Sequence, residues 1–175
     1  MAGIIKEIAS RRSIRKYTGE KIPEDYVREI IAAGLLGASS SNIRPVELIG
    51  VRDRELLEKL SRSRQIASPQ VAAADLVIVV IADGTKSDVW VEDASIALDN
   101  MHLAASALGV GSCWIQVRNR KASEDLTAED YIKELLGIPE NYKVEAMMTF
   151  GMPAEEKDPY DPEKVDLRKY HADKF

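Results

Sequence analysis

The chain has 175 residues, 45% of them hydrophobic and 30% charged. That is enough chain for about one soluble domain with a real core, and the composition excludes a disordered protein. A formal charge of −5 argues against a protein built to coat nucleic acid or an anionic membrane.

Ile4, Ile5 and Ile8 fall on one face of a short N-terminal helix, which runs into Arg11-Arg12-Ser13-Ile14-Arg15-Lys16-Tyr17. Pro23 suits the first position of a second helix, with Glu24 and Asp25 at its positive end. Val27, Ile30, Ile31, Gly34 and Leu35 repeat at helical spacing behind them, and Gly37–Asn42 has loop composition. Val46–Val51 reads as a strand, and Asp53 can cap a helix carrying Leu56, Leu57 and Leu60. The stretch Arg62–Gln70 has no clear period and reads as loop or broken helix. Leu76–Ile81 lacks polar alternation, the mark of a strand covered on both faces.

A long amphipathic segment then runs from Trp90 to Leu108, and Gly109 can stop it in the left-handed conformation. Gly111–Val117 reads as a central strand. Thr127 with Asp130 makes a capping box for the helix of Tyr131, Ile132, Leu135 and Leu136, ended by Gly137 and Pro139. Val144, Ala146, Met148 and Phe150 alternate as a strand. From Gly151 onward the tail is rich in Pro and charge and poor in apolar residues. If ordered, it must find its apolar contacts elsewhere, most simply on a second subunit. Strands separated by helices predict an α/β sheet with helices on both faces.

One Cys cannot close an internal disulfide, and there is no Cys/His cluster for zinc. The longest apolar run, Leu76–Ala82, is far short of the roughly 20 residues that span a bilayer. The start of the chain reaches Lys6 and Glu7 without a signal-peptide apolar core. These features predict a cytoplasmic protein without membrane or nucleic-acid partners.

Three stretches stand out chemically. The cations Arg11, Arg12, Arg15 and Lys16 around Ser13 suit phosphate recognition, although cations also suit the negative end of a helix. Ser39-Ser40-Ser41-Asn42 before Arg44-Pro45 offers amide and hydroxyl groups able to read a heterocycle's edge, and would equally serve as a helix-to-strand turn. Gly109-Val110-Gly111-Ser112-Cys113-Trp114 enters a strand rather than opening a helix, so it is not a dinucleotide fingerprint. Cys113 reads as a buried inert thiol, and His102 as a packing or surface residue of the long helix. No paired carboxylates or nucleophile elbow appear. Any chemistry is therefore expected of a bound cofactor, with no catalytic side chain and no metal.

In this order these pieces resemble the FMN-dependent nitroreductase family (NAD(P)H nitroreductases and flavin reductases). Arg11–Tyr17 resembles its R-R-S-x-R-x-[YF] opening, and Ala38–Pro45 its [PA]-S-x-x-N-x-[QR]-P loop. Ala74–Val79 resembles its buried strand, and Asp93–Asn100 its central helix. Gly109–Ile115 matches G-[LV]-G-S-C-W-I, and Gly151–Glu156 the G-x-P-A-E-E start of the tail. The resemblance implies a nitroreductase-like α/β (α+β) fold, with a mixed, mainly antiparallel sheet flanked by helices. It also implies one FMN-binding domain over 1–175, whose C-terminal arm (151–175) is exchanged in a homodimer.

By the same resemblance, Arg11, Arg12, Ser13 and Arg15 hold the FMN phosphate and part of the isoalloxazine. Ser39, Ser40 and Asn42 reach the flavin from the other subunit. Arg44 stands where Gln is commoner and adds a charge near flavin or substrate. The backbone at Trp114 and Ile115 meets N5 and O4 of the ring. The basic pair that many relatives carry in the tail is missing, which leaves Lys157 or Lys164 for the phosphate. The implied activity is ping-pong hydride transfer from NADH or NADPH through FMN to a nitroaromatic, a quinone or a related small-molecule acceptor. Rival readings are a non-catalytic FMN-binding or storage protein and a flavin-fragmenting or dehalogenating relative.

Overall fold

In a computed structural model, the structure describes the backbone of residues 3–175 and the side chains from Lys6 onward. Helix α1 (Gly3–Ser10) is present and its Ile8 is exposed; the side chains of Ile4 and Ile5 lie outside the described residues. Pro23 sits at the N-cap of α2 (Glu24–Leu35), whose Val27, Ile30 and Gly34 are buried. Strand β1 (Val46–Val51) leads to α3 (Arg54–Ser61), where the Asp53 carboxylate accepts the Leu56 N–H. A short α4 (Pro69–Ala73) emerges from the unpatterned stretch. Strand β2 (Leu76–Asp83) is buried along its whole length. Then follow α5 (Trp90–Ala107), β3 (Gly111–Gln116), α6 (Ala128–Leu136) and β4 (Tyr142–Gly151).

The local signals work as chemistry predicts. Gly109 (φ +73°) and Gly137 (φ +67°) take left-handed conformations behind α5 and α6. The Thr127 hydroxyl accepts the Asp130 N–H at the start of α6.

The strand order is β1-β2-β4-β3, with every ladder antiparallel; a lone parallel bridge joins Ser13 to Ser112. Strand β3 is thus at the edge of the sheet, not at its centre. Its apolar residues are covered by helices above and below, so a strand buried on both faces reads as central although one of its edges is open. Two apolar clusters sandwich the sheet. One sets Leu57, Leu60, Val71 and Ile132 of α3, α4 and α6 against Val77, Val79 and Ile115. The other sets Ile30 of α2 and Leu98 and Met101 of α5 against Ile78, Val80 and Met148. Each such buried side chain stabilises the fold by about 1.5–3 kcal/mol.

The expected alternation of β4 fails at one point. The β2–β4 register shifts between Val80 and Ile81, which pair with Ala146 and Val144. Glu145 is the extra residue of this bulge, so Val144 joins the first cluster while Ala146, Met148 and Phe150 join the second. The Glu145 carbonyl then accepts the N–H groups of Val117 and Arg118, closing the end of β3.

Candidate functional site

Residues 11–17 leave the last turn of α1 and run beside the open edge of β3. The Ile14 N–H donates to the Ser112 carbonyl at 2.9 Å. Small residues make this approach close: a Cβ on Gly111 would lie 2.8 Å from Ile14, and one on Gly151 would lie 2.6 Å from Tyr17. The Tyr17 hydroxyl, on a half-buried side chain and pushed up in pKa by desolvation, lies 2.6 Å from Thr149.

The first part of the tail doubles back on the same segment. Thr18 N–H donates to the Met152 carbonyl, Ala154 N–H to Lys16, and Tyr160 N–H to Ala9. The Glu155 carboxylate accepts the Arg15 and Lys16 N–H groups, which with Lys157 hold it below the usual carboxylate range. Residues 152–160 therefore take polar partners within their own chain. In the following stretch the apolar residues Val165, Leu167, Tyr170 and Phe175 stand exposed.

Four of the predicted cations converge here. The Arg11 guanidinium reaches His102, Arg12 donates to the Asp158 carbonyl, and Lys157 donates to the Ser13 carbonyl. Arg12 also lies 4.5 Å from the centre of the Tyr160 ring. Arg15 approaches the Ser13 carbonyl at 3.5 Å. A cleft of about 150 Å³ opens between the segment, the tail and β3, lined by Arg12, Gly111, Ser112, Glu155 and Lys157. Lys164 is not part of it: it is exposed and pairs with Asp161 at 3.6 Å.

His102 is the group that sequence reading undervalued. It is buried on α5, 2.8 Å from Arg11 and 2.6 Å from the Ser112 hydroxyl. Burial first, and the Arg11 charge second, pull its pKa down to about 4. The only sequence signal was a histidine facing a helix stripe that packs on G-S-C-W. Cys113 is buried as expected, and burial raises the pKa of its thiol, which disfavours the reactive thiolate.

Trp114 and Ile115 follow on β3. Ser112 turns its carbonyl to the open edge, so by alternation Trp114 turns its N–H and C=O the same way. Ile115 faces the ladder with β4, and its side chain is in the core.

Ser39, Ser40, Asn42 and Arg44 form a second, separate group. The Ser39 hydroxyl accepts the Arg44 N–H, Asn42 accepts from Arg44 Nε, and the Ser40 N–H donates to the buried Asp93 carboxylate. Ser41 (φ +48°), Asn42 (φ +57°) and Arg44 (φ +53°) are all left-handed. Among the described residues no hydrogen bond or ion pair joins this loop to the Arg11–Lys157 group. Asp93 and His102 mark the two places along α5, nine residues apart, or about 13 Å of helix rise. One subunit therefore does not bring the two halves of the predicted site together.

The described residues hold no cluster of His, Cys, Asp and Glu suited to a metal, and no described helix is long and apolar enough to cross a membrane. The Nitroreductase family model matches residues 8–70 and 61–152. A relative from Archaeoglobus fulgidus, provisionally named an NADH dehydrogenase/NAD(P)H nitroreductase, is 38% identical over the whole of both chains. An FMN-dependent nitroreductase structure from Clostridium difficile superposes with a TM-score of 0.95 at 42% identity, covering 98% of this chain and 99% of the other. The NADPH:FMN oxidoreductase of Vibrio harveyi, solved with NAD+, matches with a TM-score of 0.82 at 27% identity, over 98% of this chain and 77% of its own.

Proposed function

The chain belongs to the nitroreductase family, and on that premise we propose that it works as a homodimer. It is an FMN-dependent NAD(P)H oxidoreductase, here assigned a ping-pong cycle in which NADH or NADPH gives up its electrons and leaves before a nitroaromatic, a quinone or a related acceptor enters. When bound, FMN supplies the ring that accepts and returns the hydride.

The observation that carries this reading is the cationic cleft against β3 in a net acidic protein. Arg12 and Lys157 line it, and Arg11, Ser13 and Arg15 stand on the adjoining segment, a donor set suited to a phosphate dianion. The cleft opens along the edge of β3, so a cofactor whose phosphate lies between Arg12 and Lys157 can continue along that strand. The open edge at Trp114 and Ile115 offers backbone groups for the ring's N5 and O4. The loop of Ser39, Ser40, Asn42 and Arg44, which shares no described hydrogen bond with the cationic group of its own subunit, suits the flavin of a partner. Arg15, whose side chain is exposed, is suited to stabilise the negative charge the ring gains on reduction. Lys164 takes no part within one subunit. In this reading the whole chain is a single FMN-binding domain, and the exposed apolar residues after Tyr160 cover a second copy.

The test is the visible spectrum of the purified protein before and after anaerobic NADH or NADPH. A flavin spectrum that bleaches, with parallel double-reciprocal plots, is the expected result. A flavin that stays oxidised with both nucleotides favours a storage protein. A protein that remains colourless after FMN is added overturns the assignment.

A further inference from the structure

His102 lies between two groups whose hydrogen-bonding capacities fix its own. A guanidinium only donates, so the His102 Nε2 atom, 2.8 Å from Arg11 Nη1, must present a lone pair. The single ring hydrogen then lies on Nδ1 and points at the Ser112 hydroxyl oxygen, 2.6 Å away. An imidazolium would set a donor against a donor and a charge against a charge, in a residue only 5% exposed. The depressed pKa of His102 agrees with a neutral ring at pH 7.

The contacts also close a circuit through three elements. His102 comes from α5 and Ser112 from β3, while the Ser112 carbonyl accepts the N–H of Ile14, three residues beyond Arg11. The backbone of the cationic segment and the side chain of its first arginine are thus fixed by the same serine–histidine pair.

We infer that His102, as the neutral Nδ1–H tautomer backed by Ser112, is a positioning residue that holds the Arg11 guanidinium in place for an anionic ligand. The inference rests on the reading above that Arg11 helps to hold the FMN phosphate. Arginine loses much rotamer freedom when it is ordered. A lone-pair acceptor at Nε2 meets that cost during folding instead of during binding, so its removal should appear in ligand affinity.

The experiment has two arms. In the first, ¹⁵N-histidine spectra of the full-length protein, with His171 as the only other histidine, report the tautomer directly. The expected state at neutral pH is Nδ1–H. In the second, FMN affinity is read from flavin fluorescence for His102→Leu, which cannot accept, and His102→Gln, whose carbonyl can accept from Arg11 while its amide donates to Ser112. His102→Leu should weaken binding about tenfold, the scale of one hydrogen bond to a charged group. His102→Gln should recover most of that loss, and the effect of the Leu change should vanish in an Arg11→Ala background.

An Nε2–H ring or an imidazolium at neutral pH overturns the contact itself. A folded His102→Leu protein that binds FMN like the wild type, or one whose loss persists undiminished without Arg11, overturns the positioning role. A wild type that binds no FMN overturns the cofactor reading and with it the role assigned to Arg11, whereas the nitrogen spectrum still decides the tautomer.

Discussion

Residues 11–17 and residues 39–44 both present polar side chains to solvent, and they are held by opposite means. The first stretch takes its partners from far along the chain: Ser112, His102, Ala154, Glu155, Lys157 and the Tyr160 ring. The second holds itself largely, with Ser39 and Asn42 both bonded to Arg44, while the Asp93 carboxylate and the Leu35 carbonyl reach in from α5 and α2. Its three left-handed residues cost roughly 1–2 kcal/mol each, and Arg44 pays it just before Pro45, where the backbone is restricted further. A site segment can therefore be fixed by remote hydrogen bonds or by local strain that the surroundings over-determine. The two kinds should respond differently to the same perturbation.

The largest difference is expected from truncation after Phe150. This removes the strand end at Gly151 and every tail partner of residues 9–18, while leaving the bonds within 39–44 untouched. The truncated chain should purify without flavin, as monomer or aggregate in size-exclusion chromatography. A yellow, dimeric product would mean that the tail does not hold the cationic segment.

Acid should loosen the first stretch selectively. The folded-state pKa of His102 is depressed from 6.5 to about 4, so between these values the unfolded chain binds a proton that the folded chain does not. Its contribution is fully present above about pH 6.5 and is lost as pH falls through 4, by at most about 3 kcal/mol. Carboxylates titrate in the same window, so the quantity to measure is the difference between wild type and His102→Gln in urea midpoints from pH 7 to pH 4. The wild type should lose stability faster. Parallel curves would show that the ring is not shielded as its contacts indicate.

The smallest effect concerns the strained loop. Ser41→Gly should be nearly neutral in melting temperature, because relief of the left-handed backbone is offset by glycine's greater freedom when unfolded. Ser41→Val should cost about 1–2 kcal/mol, since a β-branched residue fits that conformation worst. FMN affinity measured alongside would tell whether the loop's shape matters to binding as much as its side chains do. Equal melting temperatures for both variants would remove strain from the comparison.

Much of the fold was legible because its signals are local. Asp53 caps Leu56 and Thr127 caps Asp130 across three residues, and Gly109 and Gly137 turn the chain where a side chain would strain it. The unbroken apolar run at Leu76–Ile81 announced a strand buried on both faces. The candidate site was legible as residue types in register: four cations, a serine-rich loop and a glycine-lined strand.

What the sequence alone determined, then, is the set of elements and the chemistry they carry, because periodicity, caps and turns act within one or two helical turns. The tertiary structure decided the rest. It set β3 at the sheet edge, because strand order depends on which neighbours compete for pairing. It put Glu145 into a bulge, because register is settled by the whole β2–β4 ladder. It brought Lys157, and not Lys164, against the Ser13 carbonyl, because the tail turns back at Pro153 and Glu155 onto residues 15–18. It also joined the buried His102 to the half-buried Arg11 across 91 residues, a contact that no local pattern encodes. Such groups must find partners wherever packing brings them together, since leaving them unpaired in the core costs more than any local preference gains.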